Sequence, residues 1–294
     1  AAHFLTLAEK RGAAVPLMVG HRNMGVSLLH TGDIQEARVH IDRAIALYDP
    51  AKHRQLATRF GQDVRVALLF YRSLALWPLG YPEAALADAH RAVRDAREIG
   101  QATSLMFALG IPLAMLVQCG NYATATKHCD ELIALANDKG ALYWKAVGIL
   151  NQGNTLALTG GASDSLHAMI SGFDAFRSAG STVFMPFWLS YLARAYAVLR
   201  QFDDARRCIS EAMKAIETTR ERSIEAETHR IAGEIALKSP EPDAAKAQTH
   251  FERALLVSRQ QQAKSWELRA AMSMARLWRD QGKPQQAREL LAPV

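Results

Sequence analysis

Thr31-Gly-Asp-Ile-Gln-Glu-Ala-Arg-Val-His-Ile-Asp-Arg-Ala44 is the stretch that decides the fold of this 294-residue chain. Gly32 stands where a helix C-terminus needs a left-handed residue, and Asp33 is placed to cap the helix that follows. Ala37, Ile41 and Ala44 are spaced four and three, so they share one face of that helix. Upstream, Val19 to His30 reads as a helix with Gly25 and Leu28 on one side. The unit is helix, glycine turn, helix, and it closes at Tyr48-Asp49-Pro50.

The same face returns down the chain. It is Ala85, Ala89 and Ala92, then Ala125, Cys129 and Leu132, then Ser165, Met169 and Gly172. It continues as Ala205, Ile209 and Ala212, then Ala247, Phe251 and Ala254, and last Ala287, Leu291 and Val294. From Ala85 to Ala205 the interval is 40 residues each time, and Gly80, Gly120 and Gly160 keep step as turns. Gly282 serves the last unit, Arg200-Gln-Phe-Asp203 replaces the glycine turn in the fifth, and two prolines in Lys238-Ser-Pro-Glu-Pro-Asp243 forbid helix in the sixth connection. A small residue recurring in step with a turn is the mark of an array.

The predicted fold is therefore all-α: about seven helix hairpins stacked into an α–α superhelix, one repeat domain over 1–294. A partial unit covers 1–12, and units follow near 18–50, 63–98, 104–138, 142–178, 184–219, 224–260 and 265–294. Phe4, Leu5, Leu7 and Ala8 give the first helix an apolar face, which needs a cover. Repeat arrays also need polar end caps, so both ends are expected to be cut from a longer chain.

Composition narrows the function classes. Apolar residues are 49% and charged residues 22%, enough to bury a large core. Aromatics at 7% with abundant alanine favour close-packed helices over sheets. The net charge of +6 is a mild bias, and basic residues mostly sit beside acids, as in Arg91-Ala-Val-Arg-Asp-Ala-Arg-Glu98. Nucleic acid is thus disfavoured as a partner. Three cysteines without a CxxC pair suit a reducing compartment. No apolar run reaches the roughly 18 residues of a membrane span, and no signal peptide opens the chain, so a cytoplasmic location is expected.

No catalytic template matches. The sequence lacks a phosphate loop, GxGxxG, GxSxG, HExxH and any Cys/His cluster at zinc spacing, so no catalytic residue, metal or cofactor is expected. His128-Cys129 reads as a surface histidine beside a core cysteine. Asp203-Asp204 reads as a helix cap, and Glu225 with Glu227 is no acid–base pair, because residues so close in a helix point apart.

Gly-x2-large, a glycine turn, then Ala-x3-large-x2-Ala and a trailing proline resemble the tetratricopeptide repeat. The unit here is about 40 residues, against ~34 in the standard repeat. The resemblance implies that the first helix of each pair lines a concave face that takes extended peptides. Projecting those helices gives an inner row of Arg22, Asn23, Phe70, Tyr71, Asn151, Asn154, Tyr191, Arg194, Arg230, Glu234, Arg269 and Arg276. The candidate binding residues are Arg22, Asn23, Tyr71, Asn151, Asn154, Tyr191, Arg194, Arg230 and Arg276. Asn151 and Asn154 share a face, where paired amides could grip a peptide backbone. The recurring arginines suit an acidic or carboxylate-bearing ligand. Trp77, Trp144, Trp188, Trp266 and Trp278 read as fillers between stacked helices.

Two stretches narrow the resemblance. Glu227-Thr-His-Arg-Ile-Ala-Gly-Glu-Ile-Ala-Leu237 and Ser265-Trp-Glu-Leu-Arg-Ala-Ala-Met-Ser-Met-Ala-Arg-Leu-Trp278 are similar to the C-terminal repeat region of bacterial signalling proteins. In that group a class III nucleotidyl cyclase precedes an AAA-type ATPase and then the helical repeats. The resemblance implies a non-catalytic module that binds a protein, peptide or effector and biases neighbouring cyclase or ATPase domains. A homo-oligomerisation scaffold for the cyclase is the alternative. A nucleic-acid-binding solenoid, resting on the net charge alone, is the remaining one.

Overall fold

The structure, a computed structural model, describes residues 1–110 and 112–293. Val294, expected to close the last repeat face, lies outside the described residues. Every regular element described is a helix: α1 (Ala2–Arg11), α2 (Ala14–Thr31), α3 (Ile34–Ala46), α4 (Pro50–His53), α5 (Leu56–Phe60), α6 (Val64–Leu76), α7 (Pro82–Ile99), α8 (Ala102–Gly110), α9 (Pro112–Gln118), α10 (Tyr122–Asp138), α11 (Leu142–Thr159), α12 (Ala162–Ser178), α13 (Met185–Val198), α14 (Phe202–Thr219), α15 (Glu225–Lys238), α16 (Ala244–Gln260), α17 (Lys264–Asp280) and α18 (Pro284–Leu291). Seven hairpins result: α2 with α3, α6 with α7, α8 and α9 with α10, α11 with α12, α13 with α14, α15 with α16, and α17 with α18. The fold is the expected all-α tandem-hairpin solenoid, with α1 packed on α2.

The repeat residues hold the hairpins together. Ala37, Ile41, Ala44, Ala85, Ala92, Ala125, Ser165, Ala205 and Ala212 are all fully buried. Their small size lets the two helices of a hairpin approach closely. Gly153 shows how closely: a Cβ there would stand 2.6 Å from Met169 Cγ and 2.9 Å from the Ser165 carbonyl oxygen. At the fifth turn Arg200 takes the left-handed position itself, with φ 61°. That conformation costs a non-glycine residue about 1 kcal/mol or more.

Three local expectations are corrected. Asp33 does not cap α3; its carboxylate accepts from the Thr31 hydroxyl at 2.8 Å. Asp203 and Asp204 lie inside the first turn of α14, each bonded to the arginine three residues on. His128 is buried beside Cys129, and burial lowers its pKa.

The superhelix also closes on itself. The turn of the first hairpin meets the loops before α15 and α17: Arg222 N–H donates to the His30 carbonyl at 2.7 Å, and Gln261 Nε2 donates to the Arg222 carbonyl at 2.8 Å. The turn of the second hairpin meets the start of α17. Ser265 donates its backbone N–H to the Pro78 carbonyl at 2.9 Å and its hydroxyl to the Trp77 carbonyl at 2.5 Å. Trp77 and Trp266 pack edge to face there, with ring centroids 4.5 Å apart. Each of these hairpins therefore meets the loop that precedes the hairpin five units further on. The inner face becomes the lining of a narrow interior.

Candidate functional site

The first helices of the last four hairpins, α11, α13, α15 and α17, carry a continuous polar row along that interior. Its centre is Glu227, whose side chain is fully buried. Arg230 donates Nε to Glu227 Oε2 and Nη2 to Oε1, both at 2.7 Å. Arg269 adds Nη2 to Oε1 at 2.9 Å. Burial pushes the Glu227 carboxyl up, but the two guanidinium groups outweigh it and hold the pKa down at about 2. Arg230 also donates to Glu234 and reaches Ser273 Oγ at 3.4 Å.

Arg194 continues the row one helix earlier. Its guanidinium lies over the Tyr191 ring, 4.6 Å from the centroid, and donates Nη2 to Asn154 Oδ1 at 2.5 Å. No carboxylate pairs with it among the described residues, and its Nε has no hydrogen-bond partner. Burial lowers its pKa. The row thus sets three guanidinium groups, Arg194, Arg230 and Arg269, against two carboxylates, Glu227 and Glu234. A cation held beside an amide in this setting is suited to receive a carboxylate through paired hydrogen bonds.

Asn154, Tyr191 and Arg194 touch one another, with Asn151 one turn earlier on α11 and Arg230 on the next first helix, α15. The two asparagines are buried; Asn151 donates to the Val147 carbonyl at 2.9 Å and to the Gly110 carbonyl of α8 at 3.4 Å. Tyr191 is buried, and its hydroxyl accepts from Gln118. Arg22, Asn23 and Tyr71 form a separate group near the first two hairpins, where Arg22 lies 5.9 Å from the Phe60 ring and Tyr71 packs against Phe70. Arg276 is exposed and joins none of the row's hydrogen bonds among the described residues.

Glu227 is the residue that sequence reading underrated. Glu225 and Glu227 do point apart, as expected: Glu225 binds Arg222 and Arg253 instead. The sign of its importance lay in the spacing Glu227-x-x-Arg230-x-x-x-Glu234, which puts three charges on one helix face. Trp77, Trp188 and Trp266 are buried between packed helices, as expected, and also line a cavity of about 110 Å³ where the turn of the second hairpin meets α9, α11, α13 and α17. Trp144 packs as a filler against Phe107 and Tyr143.

No group of three or more His, Cys, Asp or Glu side chains among the described residues is placed to hold a metal ion. No described helix is long and apolar enough to cross a membrane.

Comparison with known proteins places the architecture. The tetratricopeptide repeat family matches at residues 18–43 and 268–293, the first and last hairpins. No protein of curated function matches the sequence. Among solved structures, a Rap protein complexed with competence and sporulation factor superposes with a TM-score of 0.71 at 13% identity, over 98% of this chain and 77% of that one. The apo form of RapI gives a TM-score of 0.61 at 13% identity, over 94% and 95%. Aspartyl phosphate phosphatase F from Bacillus subtilis gives 0.60 at 13% identity, over 98% and 72%. Likeness at this identity establishes the fold, an α-solenoid of the tetratricopeptide type, and the repeats at both ends of the chain agree.

Proposed function

We propose that the chain is a non-catalytic regulatory module that binds an acidic partner protein or peptide along the row on α11, α13, α15 and α17. The observation that carries this is Arg194, a half-buried guanidinium without a carboxylate among the described residues, aligned with Arg230 and Arg269. Arg269 and Glu234 keep part of their side chains in solvent, so a ligand can reach the row. A Rap protein with this architecture has been solved complexed with competence and sporulation factor, which supports a binding use of the fold here.

Two further features support a binding role over a chemical one. Burial pushes the Cys129 thiol up to about 12 and the Cys208 thiol to about 11, far from a nucleophilic thiolate. The acids of the row are tied to arginines, which removes them as proton acceptors. In the wider protein the seven hairpins act as one module in the cytoplasm. Occupancy of the row biases an adjoining nucleotidyl cyclase or ATPase, the setting that the two C-terminal stretches resemble.

Selection of a random peptide library on the purified chain tests this. The expected consensus carries Asp, Glu or a free C-terminal carboxylate, and Arg194→Gln weakens the selected peptides about tenfold or more in fluorescence anisotropy. A consensus without acidic groups, or equal binding by Arg194→Gln, overturns the assignment.

A further inference from the structure

The arginine row leaves the cavity beside it without a use. That cavity forms only because the superhelix closes: Trp266 on α17 meets Trp77 at the second turn, and α11 and α13 supply the facing wall. Among the described residues no Asp, Glu, Lys or Arg lines it. His30, at its edge, is engaged by Glu221 at 3.2 Å. An ion placed there would lose its hydration without gaining a counter-charge, so the occupant must be neutral.

Its walls are aromatic and set at steep angles. Phe187 stands edge-on to Trp188 at 4.8 Å and to Tyr191 at 4.5 Å. Rings arranged this way present both faces and edges to a guest, which favours a flat aromatic one. The volume of about 110 Å³ is below the ~150 Å³ of a closed apolar cavity that holds benzene, and this one is partly open to solvent. A single ring is the largest guest it can take.

We propose that this cavity is a binding site for a small, uncharged, single-ring aromatic molecule. A guest here touches α11, α13 and α17 at once, so binding tightens the contact between the second turn and the start of α17. The site shares Tyr191 with the arginine row but does not depend on that row binding a peptide.

Titration calorimetry and ligand-observed NMR on the whole chain, with phenol, benzene and benzoate as probes, test it. Phenol and benzene bind, and benzoate does not. Ala114→Leu, which fills the cavity from α9, abolishes binding of both, and if that variant fails to fold, the benzene-to-benzoate comparison on the unaltered chain still decides. Absence of binding by phenol and benzene, binding of benzoate as tightly as benzene, or unchanged binding by folded Ala114→Leu overturns the proposal. Acidic-peptide binding in Ala114→Leu reports on the arginine row separately.

Discussion

Glu227→Gln removes one charge from the interior and leaves the shape almost unchanged. In the native chain that carboxylate accepts from Arg230 twice and from Arg269, and its side chain is fully buried. Without it, Arg230 keeps Glu234, but Arg269 loses its carboxylate and the two guanidinium groups face each other. Breaking one side of a buried pair costs about 3–5 kcal/mol, and the remaining Glu234 puts the expectation near 3. The pH dependence gives an independent measure. The folded carboxyl has a pKa of about 2 against an ordinary 4.5. The stability it contributes is therefore present above about pH 4.5 and is lost as pH falls toward 2, about 3 kcal/mol in total. Repeat arrays unfold by parts, so hydrogen exchange resolved to α15 and α17 is the assay, with urea unfolding beside it. Faster exchange in those two helices, and loss of the acid-dependent limb below pH 4.5 in the variant, are expected. Asp203→Asn, which breaks an exposed pair with Arg206, serves as the control and changes nothing measurable. A Glu227→Gln chain within about 1 kcal/mol of the parent, or an unaltered acid limb, refutes the reasoning.

Gly153→Ala is expected to destabilise by about 1–3 kcal/mol in urea titration, against the ~1 kcal/mol gain an open helix position would show, because Met169 and the Ser165 carbonyl occupy the Cβ position. The His229 and His250 rings meet Nδ1 to Nδ1 at 3.2 Å, which only one proton can bridge. Burial first, then the charge of His250, lowers the His229 pKa from 6.5 to about 4. The unfolded chain takes up that proton first, so stability falls by about 3 kcal/mol between pH 6.5 and 4, a window above that of Glu227. Urea midpoints across that range in His229→Gln should show a shallower decline.

Much of the fold was legible because it is written locally. Ala85, Ala125, Ser165 and Ala205 recur every 40 residues, and each contacts a helix of its own hairpin, so helical periodicity and turn chemistry suffice to place them. The polar row was partly legible for a related reason: Asn154 and Arg194 lie one repeat apart and face each other across adjacent first helices. The same reading failed on exposure. Asn151 and Asn154 stand on the predicted face, but their neighbours cover them, and burial is set by what the adjacent helix brings.

The sequence alone determined the hairpins, their number, their turns and the face each helix gives its partner, since all of these rest on contacts within one or two repeats. Only the tertiary structure decided that the array closes, that Trp77 meets Trp266 across 188 intervening positions, and that an aromatic cavity results. That outcome sums a small rotation at each of five successive interfaces, and no short stretch of the chain carries the total.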